Sequence, residues 1–301
     1  MTFYDKLQEV LPAGSVLKDE PMKNHTTFKV GGPADYLVLP REAAEIAKVI
    51  KLCKEAQMPY YVCGNGSNLL VGDKGYRGVI IKIGEEFSEI AITGEEIRAA
   101  AGATLTAVAN RGMEACLTGF EFASGIPGTV GGACMMNAGA YGGEMKDVLQ
   151  SVQVLTEAGE LLDIPREKME LGYRTSVFAK KKYIVLGATI LLKKGDCQAI
   201  VERMADLRTQ RTTKQPLEYP SAGSTFKRPE GYFAGKLIQD SGLSGKTIGG
   251  AQVSTKHNGF VINYNEATAK DVTDLMEFVI ATVREKFGVT LEPEVKRIGE
   301  F

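Results

Sequence analysis

The segment SGIPGTVGGACMMNAGAYGGE, Ser124 to Glu144, holds seven glycines and follows the pair Gly131-Gly132 with the apolar Ala133, Cys134 and Met135. A mobile surface loop is ordinarily polar. This stretch is apolar and small-sided, so a large ligand can lie against its backbone, and it predicts a cofactor cradle. Upstream, GNGSN at Gly64 to Asn68 follows the apolar run Tyr60 to Cys63. Two glycines around a short polar residue let successive backbone N–H groups converge on one concavity, which suits a pyrophosphate; the same residues also make a tight turn between strands. Both readings stand for that loop taken alone. Of the 34 glycines in the chain, 17 fall between Gly64 and Gly143, and the two segments account for this clustering as contact surface.

The composition, 44% hydrophobic and 24% charged, is that of an ordinary globular chain, which excludes collagen, linker and low-complexity readings of the glycine excess. A length of 301 residues predicts two or three domains. With 36 basic against 37 acidic residues there is no global field to hold nucleic acid or an anionic membrane. The closest pair among the five cysteines, Cys53 and Cys63, is too widely spaced for a CxxC redox or zinc motif, and the five are expected as reduced thiols of a cytoplasmic protein. The start, MTFYDKLQEVLPAG, lacks a basic region followed by an apolar one, and no apolar stretch approaches the ~20 residues of a membrane span. Only His25 and His257 are present, so neither a protein-held metal nor a Ser/His triad is expected; difficult chemistry needs an organic cofactor.

Periodicity predicts a helix over Arg41 to Gln57 feeding the strand Tyr60 to Cys63, and further strands at Tyr36 to Leu39, Val79 to Ile83, Ile97 to Ala101, Val152 to Thr156 and Tyr183 to Leu192. Helices are predicted at Thr104 to Met113, at Asp196 to Arg211 with Asp196 as N-cap, at Ala234 to Asp240 and at Lys270 to Phe287, with a strand at Phe260 to Asn263. A boundary is expected near residues 195 to 215, before a small α/β unit. No GxGxxG occurs, so a Rossmann reading has no support. SGLSGKT, Ser241 to Thr247, matches the end of a Walker A loop, but the position of its first glycine is Asp240, whose carboxylate opposes phosphate. Three polar motifs lie outside the cradle: YRTSVF (Tyr173 to Phe178), SAGSTFKRP (Ser221 to Pro229) and LEPEVK (Leu291 to Lys296), the last with Glu294 in an extended run. Taken singly they read as a surface Arg, a turn Ser and a strand-edge Glu.

Together these segments resemble one family, the flavoenzyme UDP-N-acetylenolpyruvoylglucosamine reductase (MurB) of bacterial cell-wall synthesis. The match runs from NHTTFKVGG (Asn24 to Gly32) through GNGSNLL, SGIPGTVGGA, NAGAYGGE, YRTSVF, RTTKQP and SAGSTFKRP to LEPEVKRIGEF at the end of the chain. The short link from YRTSVF to Tyr183 resembles the type II class. The resemblance implies an α+β fold with an FAD-binding region of the PCMH/vanillyl-alcohol-oxidase type in two subdomains, plus a smaller α/β substrate-binding domain. Residues 1–90, completed by the C-terminal strand 290–301, would be the first subdomain, 91–205 the second and 206–289 the substrate domain. FAD is then the bound cofactor, NADPH the reductant and UDP-N-acetylglucosamine enolpyruvate the substrate. Flavin N5 gives hydride to C3, C2 is protonated, and UDP-N-acetylmuramate leaves. The resemblance also implies a cytoplasmic monomer or weak oligomer with no nucleic-acid partner and no membrane insertion.

Carried over position by position, the resemblance places FAD against Gly64, Asn65, Gly66, Ser67, Asn68 and Leu69, against Ser124, Gly125, Ile126, Pro127, Gly128, Thr129, Gly131 and Gly132, and against Asn137, Ala138 and Gly139. Ser224 matches the proton donor, and Arg174 and Glu294 match the other two catalytic positions. Tyr173, Arg211, Lys214, Tyr219 and Lys227 match positions near substrate. This chemistry is consistent: hydride arriving at C3 leaves a carbanion or enolate at C2, which needs an acid for C2 and a cation at the adjacent carboxylate. Around His257 the sequence STKHNGFVIN departs from the family's small residue then Asn, because Asn258 is followed by Gly259. Two other readings remain open. One is an FAD-dependent alcohol or sugar oxidase of the same superfamily, although His25 lacks the context of a covalent flavin attachment; the other is a non-catalytic nucleotide-binding module.

Overall fold

A computed structural model describes all 301 residues. A four-stranded sheet takes Val16–Pro21, Pro33–Val38, Tyr76–Lys82 and Tyr60–Cys63 in that order. By contact density the chain divides into two compact units: Met1–Leu17, Val38–Asn65 and Ile80–Arg211 form the first, and Lys18–Leu37, Gly66–Val79 and Thr212–Phe301 the second. No helix is long and apolar enough to cross a membrane.

In the first unit, the helix Ala43–Glu55 buries Ile46, Val49, Ile50 and Cys53, the face its spacing predicts. Pro59 stops it, and the strand Tyr60–Cys63 follows. The main sheet is antiparallel, in the order Leu161–Pro165, Leu149–Leu155, Ile184–Leu191, Glu96–Ala100, Ile90–Thr93. Ile184, Leu186, Ala188 and Ile190 are buried on its inner face, where the helix Val130–Met135 packs, while Ala91, Arg98 and Gln153 are exposed on the other. The helix Leu105–Glu114 is capped by Thr104 Oγ1, which accepts from the Ala107 amide at 3.1 Å.

One expectation is overturned in this unit. Cys116 and Cys197 form a disulfide, with Cα atoms 4.7 Å apart and a sequence separation of 81. Cys116 sits in a left-handed turn (φ +53°) and accepts from the Gly195 amide at 2.9 Å, which lays residue 197 alongside it. Local spacing carries no trace of so distant a pairing. Cys53, Cys63 and Cys134 are free and buried, and burial pushes each thiol up to about 12, so they pack as inert apolar groups. The cysteines therefore no longer argue for a reducing compartment.

In the second unit, the helix Ala269–Phe287 buries Val272, Leu275, Met276, Val279 and Val283 against Leu237, Ile238, Val253 and Val261. Its first turn is held by a Thr268/Asp271 capping box and by Asp73, whose two carboxylate oxygens accept from the Ala269 and Lys270 amides at 2.7 and 3.0 Å. The three-stranded sheet runs Thr247–Ile248, Ala251–Val253, Val261–Asn263. Lys246 leads into a strand rather than a helix, so SGLSGKT does not make a phosphate loop. The C-terminal pairing falls later than the extended run at Leu291 to Lys296: Lys296–Ile298 pairs parallel with Leu69–Val71, and only a single bridge, Phe226 to Pro293, lies upstream.

Candidate active site

Within the first unit, Gly64 and Asn65 pack on the segment Ser124 to Gly132. A Cβ at Gly64 would overlap Thr129 Oγ1, and Asn65 Nδ2 reaches the Pro127 carbonyl at 3.5 Å. Thr129 N-caps the helix Val130–Met135, while the Val130 and Gly131 amides donate to the Ala103 and Ala101 carbonyls at 2.8 and 2.9 Å. Those two donors are spent inside the protein, and Gly131 is a glycine because Ala101 lies 3.0 Å from where its Cβ would stand. Gly132 is different: it is exposed, with only Thr129 Oγ1 near, at 3.7 Å. Ser124 Oγ donates to the Glu121 carbonyl, Ile126 N to Ala123 O, and Gly128 O accepts from Leu105 N, so the segment is a braced loop. A Cβ at Gly125 would stand 2.9 Å from Arg211 Cδ, which brings one expected substrate residue onto one expected flavin residue. Burial pushes the Arg211 guanidinium down from its ordinary value, and it stays cationic.

Asn137 is fully buried in a left-handed conformation (φ +45°), and its carboxamide is used within the protein. Nδ2 donates to Glu144 Oε2 at 2.7 Å and to the Gly172 carbonyl at 3.1 Å, and Oδ1 accepts from the Lys146 amide at 2.9 Å. Ala138 and Gly139 lead into the hairpin Gly139–Ala140 with Gly143–Glu144. Gly172 and Thr175 close a turn with Tyr173 and Arg174 at its tip, Arg174 in the left-handed region (φ +53°). Tyr173 is 55% exposed and its ring centroid lies 5.2 Å from the Arg174 guanidinium carbon.

The second unit collects the remaining expected residues. Gly66, with φ +62°, is pressed against the His25 carbonyl, and its own carbonyl accepts from Thr27 N and Leu69 N. The amides of Gly66, Ser67 and Asn68 have no backbone acceptor, which leaves three adjacent donors for an anion. Asn68 Nδ2 donates to the Glu294 carbonyl at 3.1 Å, and Asn68 O accepts from Lys296 N at 2.9 Å. Leu69 is buried and opens the strand Leu69–Val71.

Ser224 is exposed, one residue after Gly223 in its left-handed turn. The following Thr225 is 1% exposed and bonded three ways: its amide donates to Gly259 O, its carbonyl accepts from Glu294 N, and Oγ1 accepts from Val261 N, each at 2.8 Å. Ser224 and the buried Glu294 are thereby brought together through one residue that sequence reading passed over. A threonine inside SAGSTF carries no signal of its own; only the distant partners give it meaning. Lys227 pairs with Glu292, so its ammonium is already partnered. Lys214 is exposed at the end of the helix Cys197–Lys214, and Tyr219 is half-buried with its ring 5.4 Å from that of Tyr264. Among the residues of the chain, no cluster of His, Cys, Asp and Glu could hold a metal ion.

Residues 215–298 match the family described as UDP-N-acetylenolpyruvoylglucosamine reductase, C-terminal domain, and residues 34–165 match the FAD binding domain family. The UDP-N-acetylenolpyruvoylglucosamine reductase of Alkaliphilus oremlandii is 56% identical over 297 residues, covering 99% of this chain and 98% of that one. The chain belongs to the UDP-N-acetylenolpyruvoylglucosamine reductase family. The Geobacillus kaustophilus reductase is 53% identical over 99% of this chain and 97% of its own. Among solved structures, the family's enzyme from Thermus caldophilus superimposes with a TM-score of 0.80 at 35% identity, covering 94% of this chain and 98% of that one. The grass pollen allergen Phl p 4, a protein with glucose dehydrogenase activity, superimposes with a TM-score of 0.51 at 13% identity over 65% of this chain and 45% of its own, a likeness of fold alone. The α+β, PCMH-type FAD-binding fold expected of the reductase family is thus the fold of this chain.

Proposed function

We propose that this reductase-family chain binds FAD, oxidises NADPH and reduces UDP-N-acetylglucosamine enolpyruvate to UDP-N-acetylmuramate, the reduction step in making the peptidoglycan precursor. The observation that carries the reading is the backbone hydrogen bond from Glu294 N to Thr225 O, which joins the segment carrying the exposed Ser224 to the one carrying the buried Glu294, in a chain matching the family along 99% of its length. In the second unit the three adjacent amides at Gly66 to Asn68 suit a diphosphate, and in the first the open face at Gly132 leaves its backbone accessible to a ligand. The functional parts we assign are residues 1–90 with 290–301, and 91–205, for FAD, and 206–289 for substrate, in a cytoplasmic monomer or weak oligomer.

When bound, FAD supplies hydride transfer, from NADPH and on to C3 of the enolpyruvyl group. Charge then builds at C2 and on the neighbouring carboxylate, and the chain's residues manage both. Ser224 delivers the proton to C2. A serine hydroxyl is a weak acid, and it serves because a carbanion is far more basic and the transfer is short. Arg174 meets the carboxylate and stabilises the enolate as it forms, which requires a cation already aimed at the site. Glu294 stabilises the enol form. Arg211 and Lys214, three residues apart on one helix, bring cations toward the diphosphate, with Tyr173, Tyr219 and Lys227 beside the sugar nucleotide.

Rapid mixing separates the two half-reactions. In Ser224→Ala, NADPH reduces the flavin at close to the wild-type rate while reoxidation by the enolpyruvyl sugar nucleotide slows about 10²–10⁴-fold. Equal turnover in variant and wild type refutes the serine's role. A colourless protein that takes up no FAD, or a reduced flavin that only O₂ reoxidises, refutes the reading as a whole.

A further inference from the structure

We infer that Asn137 is a positioning residue for Arg174, acting through the Gly172–Thr175 turn; this rests on the reading of Arg174 as catalytic. Asn137 lies in the glycine-rich segment, where its side chain was expected at the cofactor, yet all three of its hydrogen bonds are made to the protein. A planar carboxamide offers two donors and an acceptor in one small group, and the site uses the donors on Glu144 and Gly172 and the acceptor on Lys146. Aspartate of the same shape has no donor to offer.

Gly172 is the first residue of the turn that carries Arg174, and its amide and carbonyl exchange bonds with Thr175 at 3.1 and 3.3 Å. On the other side of the turn, Ser176 Oγ donates to the Met135 carbonyl at 2.7 Å. Residues 135 and 137 therefore hold the two flanks of the turn. Between these anchors Arg174 keeps a left-handed backbone, a conformation a side-chain-bearing residue holds only where its surroundings over-determine it. Glu144 completes the arrangement. Its carboxyl is drawn below the usual range first by the Lys146 hydrogen bond, with the Asn137 bond and nearby positive charge acting in the same direction against partial burial, so it stands ionised, paired with Lys146 at 3.0 Å while it accepts from Asn137 Nδ2 at 2.7 Å. The backbone that carries the guanidinium is thus set before substrate arrives, and a preset cation is the condition for stabilising charge that develops only during reaction.

The test compares wild type, Asn137→Asp, Glu144→Gln, Arg174→Ala and the Asn137→Asp/Arg174→Ala double variant as FAD-loaded enzymes. Asn137→Asp is expected to hold FAD and to accept hydride from NADPH within about twofold of wild type, while reoxidation at saturating enolpyruvyl substrate slows at least about tenfold. The double variant should be no slower than Arg174→Ala alone. Without substrate, amide hydrogen exchange at Gly172 and Thr175 should quicken at least about tenfold in Asn137→Asp. Unchanged exchange at both amides, or a loss that multiplies in full with that of Arg174→Ala, overturns the inference. Should Asn137→Asp fail to fold, Glu144→Gln decides: a threefold or greater slowing confined to reoxidation supports the arrangement, and a wild-type rate overturns it. Wild-type enzyme that the enolpyruvyl substrate leaves reduced overturns the functional reading instead, whatever the exchange rates show.

Discussion

Replacing Thr225 by valine removes one hydroxyl and leaves nearly the same volume, so its cost can be worked from the bonds around it. The two backbone bonds, to Gly259 O and from Glu294 N, survive. The lost contact is Val261 N to Oγ1 at 2.8 Å, made where Thr225 is 1% and Val261 2% exposed. No water reaches that amide, so the variant leaves a buried donor unsatisfied, at about 1–3 kcal/mol. A methyl group also needs ~3.5 Å where the hydroxyl needed 2.8 Å, which displaces the strand Val261–Asn263 or residue 225 by roughly 0.7 Å. The expected readouts are a melting temperature lower by roughly 2–12 °C and, because Ser224 and Glu294 are both tied to residue 225, reoxidation by substrate slowed about tenfold or more. Thr225→Ser keeps the hydroxyl and should recover most of both. A valine variant equal to wild type in melting and in reoxidation refutes the assignment of residue 225 as the link.

Two further outcomes follow from the structure. Protein purified without reductant should show three titratable thiols in denaturant and five after reduction, and reduction should cost about 2–5 kcal/mol in urea unfolding because the bridge spans 81 residues; five thiols without reduction refute the bridge. His257 is pushed below its ordinary value by burial, so the unfolded chain binds its proton first. Its contribution to stability is full above about pH 6.5 and is lost as pH falls through the depressed folded value. Melting followed from pH 8 to 5 should therefore fall more steeply in wild type than in His257→Gln, and parallel curves refute the reasoning.

Local pattern was enough for the elements that bury one face by themselves. Ala43–Glu55 and Ala269–Phe287 repeat apolar residues at helical spacing, and Asp196 Oδ1 does accept from the Ala199 amide at 2.8 Å, as a cap should. The helix Val130–Met135 was hidden because its glycines oppose helix formation. It forms because Thr129 caps it and the strand Ile184–Leu191 supports it, both facts of packing. The same limit applies to Asp73, 196 residues from the helix turn it caps, and to the disulfide. Chemistry-bearing residues were legible as types in motifs, but their supports were not, since Thr225 and Glu144 act through partners that only folding supplies.

The glycine distribution first suggests a division of labour, with cofactor held by the glycine-rich stretch and chemistry done by later residues. Hydrogen bonds cross that division within each unit. In the first, Asn137 of the glycine-rich stretch braces the turn of Arg174; in the second, Asn68 of GNGSN bonds the backbone of Glu294 and receives the Lys296 amide. Two of the glycines also stand where protein neighbours crowd any Cβ, Gly64 beside Thr129 and Gly131 beside Ala101. The loops expected to hold a dinucleotide therefore also brace the backbone on which Arg174 and Glu294 stand. A change in the bracing side chains of either loop should show in the reoxidation step even where cofactor retention is unchanged, because those side chains spend their hydrogen bonds on the protein.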